Sequence, residues 1–136
     1  MEMSEPDSLV LIDTSVWIDF FRKKAKVYES VDALIDQGKV CCLKLIIAEL
    51  LQGARTEKEL EVLRQLPSVF PLLPESPDSW EQAGLLSFRM RKAGKSIGLS
   101  DCYIAVVAQQ NNALIYTHDT HFQEIRRHHD IKLFRQ

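Results

Sequence analysis

The chain has 136 residues, 46% of them hydrophobic and 26% charged, with a formal net charge of −2. That length and composition suit one globular unit with a single core and are too small for two. They argue against a disordered chain, and the acidic balance argues against binding nucleic acid by bulk charge, since such binders are usually basic.

Residues 1–8 are polar and acidic. They lack the positive n-region and apolar h-region of an export signal, so they read as a flexible N-terminus ahead of a single domain over 9–136. The wholly apolar run 9–12 reads as a buried strand that ends at Asp13. Thr14 or Ser15 then caps a helix through Trp17, Ile18, Phe20 and Phe21, finishing at the basic cluster Arg22, Lys23, Lys24 and Lys26. Val27, Val31, Leu34 and Ile35 recur at helical spacing in a second helix, which Gly38 stops.

Residues 40–43 form the next strand. They include the adjacent Cys41 and Cys42, and three cysteines in all make no disulfide framework. Residues 45–51 read as helix, and 57–66 as another, with Leu60, Leu63 and Leu66 on one stripe and Pro67 as its stop. Residues 69–73 predict a third strand that Pro71 places near an edge.

The stretch 79–92 is an amphipathic helix with Trp80, Ala83, Leu86 and Met90 inward. After a loop over 94–98, Ser100 caps a helix that is apolar nearly all round from Cys102 to Ala108, hence buried. Residues 113–116 predict a fourth strand, 121–127 a short polar helix, and 131–134 a fifth strand. Short strands without polarity alternation, interleaved with helices, predict an α/β fold: a parallel sheet of four to five strands sandwiched by helices, in a three-layer Rossmann-like arrangement. No apolar run reaches the roughly 20 residues needed to span a bilayer. The expectation is a cytoplasmic protein with no membrane partner.

Four acidic residues stand out against this pattern. Ligands of an open parallel sheet bind beyond the carboxyl ends of its strands. Asp13 directly follows the first strand and Asp119 follows the strand 113–116 by two residues, so both belong on that rim. Asp101 opens a buried helix, and Glu49 lies among Ile46, Ile47, Leu50 and Leu51. A carboxylate in such company is paired, protonated or bound to metal, and several at one rim repel until a divalent cation intervenes. Each also has an ordinary structural reading. Asp13, Asp101 and Asp119 fit helix caps or first-turn positions, and Glu49 fits a solvent-facing side chain. Separate caps, however, have no reason to share a rim.

The segments LVLIDTSVWIDFF, IIAELLQGA and GLSDCYIAVVAQQNNALIYTHDTHF resemble the PIN-domain ribonucleases, and especially the VapC-type toxins of bacterial toxin–antitoxin pairs. The resemblance runs from Leu9 to Phe134. The family's order is an aspartate after strand one, a glutamate in an E-L-x-x-G helix, an aspartate opening a buried helix, and an aspartate after the next strand. Asp13, Glu49, Asp101 and Asp119 match it one by one. Two positions depart: His121 stands where many relatives carry a further acidic residue, and Leu45 and Ile46 stand where a small hydroxyl residue is common.

The resemblance implies an endoribonuclease that uses these four residues and leaves a 5′-phosphate and a 3′-hydroxyl. All-oxygen ligands select Mg²⁺ or Mn²⁺. Asp13, Asp101 and Asp119 are then ligands, direct or through water, while Glu49 ligates or orients the water. His121 favours one firmly held ion over two. The resemblance further implies a homodimer and a small antitoxin that blocks the acidic cleft.

Phosphate contacts are available from Arg22, Lys23, Lys24, Arg89, Arg91, Lys92 and Lys95, though each alone reads as a solvated surface charge. Thr117 stands where it can hydrogen-bond a carboxylate or simply serve the turn. His118, His121, His128 and His129 lack the paired spacing of a zinc site. Cys102 sits at a helix N-terminus, which lowers a thiol pKa, but it has no nearby base and reads as core. Rival classes are a non-cleaving RNA-binding or regulatory module, and a phosphatase with Asp13 as nucleophile. The latter usually needs a second aspartate two residues on, where this chain has Ser15.

Overall fold

The structure, a computed structural model, describes residues 8–135. The expected flexible N-terminus over 1–8 lies outside the described residues except for Ser8, which is buried.

Two strands, β1 (Val10–Ile12) and β3 (Leu114–Tyr116), are apolar at every position and buried at every position. Strands of that kind need cover on both faces and so belong in the middle of a parallel sheet. They pair with each other, Val10 opposite Leu114 and Ile12 opposite Tyr116. β2 (Val40–Cys41) lies outside β1, and β4 (Lys132–Leu133) outside β3, giving the parallel order β2-β1-β3-β4.

The helices come between the strands: α1 (Thr14–Phe21) and α2 (Ala25–Asp36) after β1, then α3 (Lys44–Gln52), α4 (Glu57–Arg64), the single turn α5 (Leu66–Val69), α6 (Ser79–Lys92) and α7 (Leu99–Gln110) after β2, with α8 (His121–Arg126) between β3 and β4. α2 ends as its sequence implies. Gly38 takes φ +68 and its N–H bonds to Ile35, while the Lys39 N–H reaches Leu34, closing the last turn with a residue that has no Cβ to clash. α7 is buried without a break from Cys102 to Ala108, and Trp17, Phe122, Leu11 and Ile115 complete the centre of the core.

The expected strand over 69–73 is reduced to one bridge, Cys42 opposite Leu72. Pro71 removes an N–H donor from this segment and Pro74 another directly after it, and the Leu73 N–H and the Pro71 carbonyl supply the two bonds to Cys42. The sheet is therefore four-stranded among the described residues. Pro67 does not stop a helix but sits at the start of α5, where its missing N–H costs nothing. α1 begins at Thr14 behind Asp13, and α7 at Leu99 behind Gly98, so neither Ser15 nor Ser100 caps its helix.

Trp80, expected inward, is 51% exposed, because the buried stripe of α6 runs through Ser79, Ala83, Leu86 and Met90. Ser79 is satisfied there, its hydroxyl donating to Gln110 and accepting from the Ser76 N–H. Trp80 instead stacks over Tyr103. No helix among the described residues is long and apolar enough to cross a membrane.

Two outcomes follow from this packing. Phe122→Ala removes a fully buried ring and lowers the unfolding free energy by about 3–5 kcal/mol, while Phe88→Ala at an exposed position changes it by about 0.5 kcal/mol or less; urea titration measures both. The three thiols are buried. Burial pushes Cys41 up to about 12 and Cys42 up to about 11, and raises Cys102 as well, with help from the Asp101 charge. Since the thiolate is the nucleophile, an alkylating reagent at neutral pH labels the native protein slowly and the urea-unfolded protein at all three positions. Mass spectrometry counts the adducts.

Candidate active site

Because β1 and β3 are parallel and in register, the residues that follow them emerge side by side. The Asp13 N–H bonds to the Tyr116 carbonyl at 2.9 Å, which sets Asp13 against Thr117. The Thr117 hydroxyl donates to Asp13 Oδ2 at 2.8 Å and accepts from the Asp119 N–H at 2.9 Å. One side chain thus ties the two strand-end aspartates together. Ser15 adds a longer bond to Asp13 Oδ2, at 3.3 Å, and receives the His118 N–H.

Asp13 occupies the N-cap position of α1, yet its side chain makes no cap hydrogen bond. The capping account of this residue therefore fails. Its carboxylate turns instead toward the β3 rim, where it is 6% exposed. Glu49, on α3, is half-buried rather than turned to solvent, and it accepts the Thr14 hydroxyl at 2.8 Å. The hydroxyl that supports this glutamate comes from α1. Asp101, in the first turn of α7, faces His121 Nδ1 at 3.0 Å, and the same nitrogen lies 3.4 Å from Asp119 Oδ1. The His121 N–H also bonds to Asp119 Oδ1 at 2.9 Å.

Electrostatics tie these pieces into one cluster. Burial raises the Asp13 pKa, and the nearby Asp101 charge raises it further against the hydrogen bonds from Thr117 and Ser15. Burial likewise raises Glu49, with contributions from Asp13 and Asp101. His121 is raised mainly by its hydrogen bond to Asp101 and by the Asp119 charge, although it is largely exposed. The structure brings together all four residues singled out in the sequence. Thr14 and Ser15, which the sequence offered only as helix caps, join them as hydroxyl supports. The hydroxyls directly after Asp13 were the available signal.

The donor set fits a hard divalent cation. Asp101, Asp119 and His121 each present a ligand atom within 4.8 Å of the others. Neither Asp13 nor Glu49 is paired with a lysine or arginine among the described residues. Carboxylates crowded in this way are relieved by a cation, and oxygen-rich sites suit Mg²⁺ or Mn²⁺.

Comparisons with known proteins bear on family and fold. Ribonuclease VapC11 of Mycobacterium tuberculosis is 29% identical over 125 residues, covering 88% of this chain and 92% of its own. A DNA-bound VapBC from Salmonella typhimurium matches with TM-score 0.75 at 20% identity, over 93% of this chain and 97% of that one. VapBC-5 of Mycobacterium tuberculosis, described as a member of the VapBC family of toxin–antitoxin systems, matches with TM-score 0.66 at 23% identity, over 95% of this chain and 99% of that one. At such identities the structural matches speak for the fold alone. The family model for the PIN domain matches residues 10–128, and the chain belongs to that family.

Proposed function

We propose that the protein is a Mg²⁺- or Mn²⁺-dependent endoribonuclease, the toxin of a type II toxin–antitoxin pair. The observation that carries this reading is the convergence of Asp13, Glu49, Asp101 and Asp119 from four separate parts of the chain, with Asp13 buried and raised in pKa by its surroundings. Structural caps would neither meet nor perturb one another. The ribonuclease name of the relative supports RNA as the substrate.

Asp13, Asp101 and Asp119 would hold the ion, with Glu49 as a further ligand or as the group that orients water. A divalent cation bound there supplies polarisation of the phosphodiester and a lowered pKa for the attacking water. The chain's own part is preorganisation. Thr117 fixes the rotamer of Asp13 and the backbone of Asp119, Thr14 holds Glu49, and His121 spaces Asp101 from Asp119. Such supporting contacts commonly set metal affinity as much as the ligands do.

An antitoxin partner is supported by the toxin–antitoxin description of the matched structure. Large exposed apolar side chains, Ile18, Phe21 and Tyr28 on α1 and α2 and Trp80, Leu85 and Phe88 on α6, give surface for an antitoxin and for a homodimer contact. Free buried thiols suit a reducing cytoplasm.

Cleavage of labelled RNA should require Mg²⁺ or Mn²⁺ and stop with chelator. Asp101→Asn should lower the rate at least about 100-fold, the upper end of what losing even a ligand's support costs. Equal cleavage by both proteins would sink the reading, and tight RNA binding without any turnover would favour the non-cleaving module. Thr117→Val keeps the side-chain volume but removes both hydrogen bonds. It should cost about 1–3 kcal/mol of stability and weaken Mn²⁺ binding about 10- to 100-fold by calorimetry, with Thr117→Ser restoring most of each.

A further inference from the structure

Two cavities meet beside the acidic rim. The smaller, about 250 Å³, is bordered at one end by Thr117 and Asp119 and at the other by Arg126, Phe134 and Arg135. Those last three also border the larger cavity, about 710 Å³, which continues between α2 and the edge strand β4 to Lys39 and Lys132. A continuous groove therefore leads away from Asp119 across the end of α8 and along β4.

Its charge is unlike that of the whole chain. The protein has 17 basic and 19 acidic residues. The larger cavity nevertheless has four basic residues in its lining and no acidic one, and the smaller has Asp119 as its one acidic residue. None of Lys39, Arg126, Lys132 and Arg135 is ion-paired among the described residues. Four cations left unneutralised along one groove, in an acidic protein, mark a path for a polyanion. Phe134 stands at the junction of the two cavities with its ring 4.7 Å from Tyr116. A half-buried aromatic ring that lines the same cavities as two arginines offers a stacking surface for a base, because every base has a π-face.

We propose that this groove carries the RNA strand next to the cleaved bond, with Arg126 and Arg135 on phosphates, Phe134 under a base, and Lys39 and Lys132 extending the track. This rests on the ribonuclease reading and adds its positioning residues. The cavities fall within the roughly 300–1,000 Å³ scale of small-ligand clefts when taken together, which holds a few nucleotides of single strand and no duplex. Guanidinium forks match phosphate oxygens, and such contacts set register along the strand without reading its sequence.

The test measures binding of a labelled single-stranded RNA oligonucleotide by anisotropy, in the Asp101→Asn background with Mg²⁺. Adding Arg126→Ala and Arg135→Ala should weaken binding at least tenfold and flatten the log–log salt dependence by about 0.7 per arginine. Arg126→Lys with Arg135→Lys should recover part of the affinity. Lys58→Ala with Arg64→Ala removes the same charge from α4, away from the groove, and should leave the affinity within twofold. Matching affinities for the Arg126/Arg135 variant and that control would overturn the assignment and leave the groove to an acidic protein segment. Absence of RNA binding by the parent would overturn it too. Cleavage by the otherwise unaltered protein decides the ribonuclease reading separately: turnover with an unaffected Arg126/Arg135 variant keeps the nuclease and discards the groove, while lost binding without turnover keeps the groove as an RNA path and overturns both the nuclease and the placement beside a cleaved bond.

Discussion

The Asp13 carboxylate is placed at the end of a strand whose three residues are all buried, on a rim shared with two further aspartates. A charge in that position must be compensated, and two hydroxyls, from Thr117 and Ser15, do part of the work. The parallel pairing of β1 with β3 makes this possible, since it delivers Asp13 and Thr117 to the same level of the sheet. Everything else at the site is arranged around that pair. Asp119 follows two residues after Thr117, α7 presents Asp101, and α3 presents Glu49 through Thr14.

His121 shapes the cluster in a different way. The chain sets an imidazole between Asp101 and Asp119. A cationic imidazole relieves repulsion between those two groups, so the rim needs less compensation from a second ion.

The net charge of −2 had set bulk electrostatics against an RNA substrate. Charge is instead local. Much of the basic surface noted in the sequence is engaged elsewhere: Lys24 pairs with Asp19, Lys95 with Glu124, and Arg91 and Lys92 lie against Phe88. The basic residues along the groove, Lys39, Arg126, Lys132 and Arg135, come from the turn between α2 and β2, the end of α8, β4 and the segment after β4, and no run or spacing in the chain joins them.

What the sequence by itself determined was the α/β class, the buried β1 and α7, and the four acidic positions. Unalternating apolar runs can be satisfied only by double-sided burial, and a carboxylate beside such runs demands a partner wherever the chain goes. Local periodicity was less reliable at element ends. Pro67 reads equally as a stop or a start, and the stripe of α6 shifts by one residue to bury Ser79 instead of Trp80, because Gln110 on α7 satisfies its hydroxyl. Only the tertiary structure decided which hydroxyls support which carboxylates, that 69–73 yields a single bridge, and where the unpaired cations line up. Those outcomes depend on contacts between residues as far apart as Asp13 and Thr117, whose meeting is set by strand register and not by any property of the chain near either one.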